Sequence, residues 1–256
     1  QVGVDALSLS EVQADTKALI ATTRVHGRLD SFTLRADSLD FKQKKVLLNE
    51  ALLRGADLDI ALRDTVVPDD SSSVPLAWRI DVGRALVADT RVRFAMPADS
   101  MVVQAGIRSL TASDGHLDLG AQQYRVGKAS LTADSLFYTL PFDSVASPID
   151  YNHLALDSVR LDVSDIAFDN SPMRVQARVT DAHARERNSG LVLDGLSGWA
   201  DITDSHMALS DVVLHTPTSS LKADADMDFS AFDTDADGRL HLAVQTDVSR
   251  ADLMTV

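Results

Sequence analysis

The chain has 256 residues, 45% of them hydrophobic but only 5% aromatic, and 38 acidic against 24 basic residues give a formal charge of -14. That balance argues against a nucleic-acid partner, since the longest basic run is Lys42-Gln43-Lys44-Lys45 and a net negative field repels phosphate backbones. The absence of cysteine removes disulfides, thiolate metal sites and thiol nucleophiles, and no run of about 18 apolar residues offers a membrane-spanning helix.

With so few rings, Leu, Val and Ala have to supply the apolar surface, which suits a thin layer or an open groove better than a thick core. The amino-terminal Gln1-Val2-Gly3-Val4 lacks the charged and apolar regions of a secretory signal. Segments 11–21 and 46–61 could each form an amphipathic helix, but Gly55 and the alternation at Leu58 and Ile60 favour strands. Residues 67–75, with two prolines and three serines, read as an exposed loop insertion. Strand patterning resumes at Trp78, Ile80 and Val82, so the loop interrupts one continuous repetitive β region over 1–256.

From there period-two alternation recurs to the end: Val92, Phe94, Met96; Leu117, Leu119; Leu154, Leu156; Val159, Leu161, Val163; Val175, Ala177, Val179; Ala223, Ala225, Met227, Phe229; Leu240, Leu242, Val244. This is the signature of half-buried strands. Ser113-Asp114-Gly115, Asp169-Asn170-Ser171-Pro172 and Asn188-Ser189-Gly190 supply turn chemistry at roughly ten-residue spacing. The simplest architecture is an all-β antiparallel meander.

A strand type also repeats. Residues 32–41, 129–138 and 154–161 each run an apolar alternation into Asp-Ser (Asp37-Ser38, Asp134-Ser135, Asp157-Ser158) and then restart it. A bulge or turn is expected at each Asp-Ser. The spacing of the copies is irregular, so they reiterate a strand type without making a fixed-length solenoid.

Sites of chemistry are sparse. Asp233, Asp235 and Asp237 followed by Gly238 match the opening of a calcium-binding loop, but Val244 occupies the position that needs a bidentate Glu. The flanks alternate as strands, so a tight hairpin is expected and calcium is the lesser reading. Seven scattered histidines show no metal-ligand spacing. Arg185-Glu186-Arg187 reads as a solvated charged cluster beside a turn. No phosphate loop, nucleophile elbow or zinc-protease helix occurs. A non-enzymatic role without cofactor is expected.

The reiterated strands of the Leu154–Leu161 type, residues 189–198 (SGLVLDGLSG) and residues 207–224 (MALSDVVLHTPTSSLKAD) together resemble the TamB family of the AsmA-like bacterial envelope proteins. The resemblance implies a periplasmic β-taco, an elongated trough with an apolar interior. It also implies an inner-membrane anchor and a carboxy-terminal domain lying outside this stretch. The functions implied are phospholipid transport between inner and outer membranes and a part in outer-membrane protein assembly, with acyl chains and an outer-membrane assembly-type β-barrel as partners. On that reading the trough is lined by Leu58, Ile60, Val92, Phe94, Leu117, Leu119, Leu161, Val163, Val175, Val179, Met207, Leu209, Met227, Phe229, Leu240 and Leu242. Small Ala177, Ala223 and Ala225 would leave width for a chain. The alternative is a closed β-sandwich serving as a periplasmic or extracellular scaffold or adhesion module.

Overall fold

The computed structural model describes residues 2–20, 23–62, 77–96, 101–144, 149–150, 152–232 and 237–249. The predicted loop at 67–75, the carboxylates Asp233 and Asp235, and the terminal Leu253-Met254-Thr255-Val256 lie outside the described residues. The chain is all-β, and residues 11–20 and 46–61, which had a competing helical reading, are strands. The long strands are β1 (Val2–Ile20), β2 (Thr23–Asp40), β3 (Lys45–Leu62), β4 (Arg79–Met96), β5 (Met101–Asp118), β6 (Gln123–Thr139), β7 (His153–Asn170) and β8 (Met173–Glu186). The two-residue β9 (Val192–Leu193) follows, then β10 (Gly195–Thr203), β11 (His206–His215), β12 (Ser220–Asp228), a 3-10 turn (Phe229–Phe232) and β13 (Leu240–Asp247).

All thirteen strands belong to one sheet ordered as the chain runs, with β9 alone off the path, paired to β8. The sheet is not closed into a barrel; β1 and β13 are its edges. Eighteen-residue strands make it about 60 Å along the strands, and eleven spacings make it about 53 Å across. One pairing departs from the expected antiparallel meander: β3 and β4 are parallel, Lys45 opposite Arg79 and Ala61 opposite Ala95. Period-two patterning reports which faces a strand presents and not its direction, so this was beyond the reach of the pattern.

The strands are also nearly twice as long as the turn spacing implied. Asp169 to Pro172 and Asn188 to Gly190 do reverse the chain, whereas Ser113-Asp114-Gly115 sits inside β5. There Asp114 takes φ +58° and pairs with neither neighbouring strand. It is one of a line of unpaired residues crossing six consecutive strands: Asp37, Asn49, Gly83, Asp114, Gly127 and Asp165. Asn49 donates to Asp37 at 2.6 Å across it. A second line, Glu11, Asp30, Gly55, Asp89, Arg108, Asp134 and Ser158, crosses β1 to β7. Glu11, Gly55, Asp89 and Ser158 there have φ between +50° and +62°. The repeated Asp-Ser steps are therefore bulges on these lines. Asp and Gly are what the lines need, because a left-handed residue in a strand is cheap only for Gly and tolerable for Asx.

Each line inverts the side-chain alternation. Strand β4 presents Ile80 and Val82, then Ala85 and Val87, then Val92, Phe94 and Met96 on one face: even, odd, even. The lines thus keep one face apolar along the whole strand while dividing it into three panels. Beside the second line the apolar row contains Ala56, Thr90, Ala133 and Val159, at 4, 1, 1 and 6% exposure. Small side chains between larger neighbours are buried on the other face too, Ser38, Ala95 and Ala155 at 5, 7 and 9%, and the single open sheet is consistent with a curled trough.

Candidate functional site

Residues directly opposite in adjacent strands share a face, so the register can be read as rows across the sheet. One row runs Leu39, Val46, Ile80, Leu117, Tyr124, Phe168, Val175, Ile202, Met207, Met227, Leu240, an apolar side chain on every strand of the path from β2 to β13. Tyr124 and Phe168 stack within it at 5.8 Å between ring centroids. On the β8 to β13 side the next row is Ala177, Ala200, Leu209, Ala225, Leu242. In the central panel Leu34, Ala51, Ala85, Ala112, Ala129, Val163, Val179 run beside Leu9, Phe32, Leu53, Val87, Leu110, Leu131, Leu161, Ala182. The far panel holds Leu58, Val92, Ala105, Leu136, Leu156 and Ile60, Phe94, Val103, Tyr138, Leu154.

The strands form one open sheet, and every substantial contact between elements joins hydrogen-bonded neighbours. The accessible surface is 16043 Å² for 27.6 kDa, roughly 5,000 Å² more than a compact monomer of that mass exposes. Contiguous apolar patches beyond a few hundred Å² mark binding surfaces. At the free edge Leu240 and Leu242 are 57 and 59% exposed.

The opposite face is a lattice of charge pairs. Arg79 pairs with Asp118 at 2.9 Å, Arg93 with Asp59 at 3.0 Å, Arg174 with Asp201 at 2.6 Å and Arg160 with Asp181 at 2.8 Å. Arg125 donates to both oxygens of Asp169, and Arg108 meets Asp134. Hydrogen bonds from Arg174, Arg160 and Arg187 hold Asp201, Asp181 and Asp157 below the usual carboxylate range. Exposed pairs add little stability singly. Their consequence is orientation, a face bound to water and an apolar face that is left for something else.

Four histidines sit on this face or at its border against carboxylates: His116 with Asp81, His153 with Asp150, His183 with Asp181, and His206 between Asp226 and Asp228. The hydrogen bond to Asp228, with the charge of Asp226, raises the His206 pKa. Glu186 is not solvated as the sequence implied: it is 5% exposed and accepts from the N–H and O–H of Ser189, at 2.5 and 2.7 Å. Burial pushes its pKa up, but these bonds outweigh it and the net direction is down. Arg187 lies over the Phe137 ring at 4.8 Å. Sequence neighbours of mixed charge gave no signal for such a turn cap, which needs Ser189 three residues on.

Of the sixteen predicted trough residues the rows bring together fourteen. Leu119 falls in the β5–β6 turn, its N–H bonded to Trp78, and Phe229 opens the 3-10 turn, its N–H bonded to Ser205. Both follow the period of a strand that has already ended. Sequence reading missed Tyr124, Phe168, Leu39, Ile202 and the alanine panel, which become visible once the Asx and Gly steps are taken to invert the alternation. Among the described residues no cluster of three or more His, Asp or Glu could hold a metal. Asp237 alone of the calcium candidates is described, and the adjoining Gly238 packs so closely on Ala231 that a Cβ would lie 2.0 Å from its backbone nitrogen. No helix among the described residues is long and apolar enough to cross a membrane. No protein-family model matches the chain and no curated protein is similar to it in sequence.

Proposed function

We propose that the apolar face is a conduit for lipid acyl chains, in a segment of a TamB-like or wider AsmA-like protein that bridges the bacterial envelope through the periplasm. On this reading the whole protein is tethered to the inner membrane, carries phospholipid between the membranes and serves outer-membrane biogenesis. The partners are acyl chains here and an assembly-type β-barrel reached through other parts of the protein; catalysis plays no part.

The observation that carries the proposal is the apolar row from Leu39 to Leu240, eleven strands and about 48 Å long, on one face of a single open sheet. A row of Leu, Val, Ile and Met is non-directional, as a conduit has to be if cargo is to move along it. Each methylene taken from water gains roughly 0.8 kcal/mol, spread over many equivalent positions, so occupancy is favourable without a single deep well. No charged side chain interrupts the row, in which Tyr124 carries the one hydroxyl, and the charge pairs on the other face keep that side in water.

Lipid extraction and mass spectrometry of the purified chain, with titration of a fluorescent acyl probe, tests this. Co-purifying phospholipid and saturable probe binding are expected. Absence of both would return the chain to the scaffold or adhesion reading.

A further inference from the structure

On the polar face, and independently of the lipid reading, we infer that the cleft at the first bulge line binds a phosphorylated saccharide or cyclitol. The bulges at Gly83, Asp114, Gly127 and Asp165 open a depression of about 720 Å³ over β4 to β8, within the size range of small-molecule sites. Two rows floor it. The first is Arg84, Ser113, Lys128, Ser164 and the second Thr111, Ser130, Asp162.

Several polar groups of this cleft are left without partners inside the protein. At many positions on this face guanidinium and carboxylate meet across strands, but among the described residues Lys128 has no ion pair, the Asp162 carboxylate has no partner, and the Thr111 and Ser130 hydroxyls make no hydrogen bond. Lys128 stands diagonally across from Asp162 without closing on it. Arg84 reaches only Glu50, at 3.9 Å, which it shares with Arg35.

Arg84 and Lys128 are two strands apart, about 10 Å, and converge on the first row as two cations able to hold one phosphoryl group. The second row offers two free hydroxyls and a carboxylate. A carboxylate facing an anion would repel it, so Asp162 fits a ligand whose far end donates hydrogen bonds. Adjacent ring hydroxyls do so, and a carboxylate accepts a pair of them. Phosphate at one end and hydroxyls at the other describes a sugar phosphate or a phosphorylated inositol, whether free or borne on a lipid.

The test uses the whole chain. Calorimetry with glucose 6-phosphate is expected to give saturable binding, with inorganic phosphate and glucose each about tenfold weaker or worse. Lys128→Ala and Asp162→Asn should each cost about tenfold, and Lys222→Ala, an exposed cation on another strand, should cost nothing. Flotation with phosphatidylcholine vesicles containing phosphatidylinositol separates the sources: vesicle binding lost in Lys128→Ala, without binding of glucose 6-phosphate, assigns the lipid-borne headgroup. Failure of both ligands, binding that survives Lys128→Ala, or inorganic phosphate binding as tightly as the sugar phosphate overturns the inference.

Discussion

Replacing Gly55 by Ala tests whether the bulge lines hold the apolar panels in place. Gly55 has φ +62°, and a Cβ there would lie 2.0 Å from Oδ2 and 2.5 Å from Cγ of Asp30 on the neighbouring strand. The left-handed backbone costs an L-residue about 1–2 kcal/mol, and expelling the Asp30 carboxyl from its rotamer adds about 1 kcal/mol. Reduced freedom of the unfolded chain returns about 0.4–1 kcal/mol. The expected net loss is about 1–3 kcal/mol, read from urea unfolding followed by circular dichroism. Asp30→Gly in the same chain removes the clash but not the backbone term, so the double variant should recover about 1 kcal/mol, a coupling that a double-mutant cycle isolates. A Gly55→Ala protein within about 0.3 kcal/mol of the parent, or a cycle with no coupling, would refute the bulge as drawn.

Three further outcomes are expected. Ala133→Leu, at 1% exposure, should cost about 1–3 kcal/mol by overpacking, whereas Ala225→Leu at a half-buried position of the same face should cost less than about 0.5 kcal/mol; paired unfolding curves compare them. Glu186→Ala strips Ser189 of an acceptor for its N–H and O–H and should cost about 1–3 kcal/mol, with faster amide exchange at Ser189. His206 is raised above 6.5 and Asp228 held below 3.8. The histidine's contribution is complete below 6.5 and lost as pH rises through its folded value; the aspartate's is complete above 3.8 and lost as pH falls through its own. The pair therefore supports the β11–β12 contact most between those limits. Melting temperature against pH should lose that component in His206→Gln, and an unchanged profile would contradict the pairing.

The strands, and the face most residues take, were legible because period-two alternation survives in short runs such as Val92, Phe94, Met96. Strand length was not. An Asp or Gly that ends a hairpin strand and one that inverts a continuing strand read alike, and only cross-strand pairing separates Asn188-Ser189-Gly190 from Ser113-Asp114-Gly115. Parallel pairing of β3 with β4 was hidden for the same reason: the pattern carries no direction. The groove residues were half found because isolated Leu and Val runs announce themselves, while Ala51, Ala85, Ala112 and Ala129 form an apolar panel only when stacked in register. The cleft around Lys128 had no sequence signal, since its residues come from five strands.

Adjacent residues on opposite faces give the most direct test of the central claim. Val103 lies in an apolar row and Gln104 in a polar one, one residue apart on β5 and away from the cleft around Lys128. A photoreactive phenylalanine analogue placed at each in turn, in cells grown with labelled phosphate, should crosslink phospholipid at position 103 and not at 104. Equal labelling at both positions, or none at 103 in a folded protein, would contradict the apolar face as a lipid conduit.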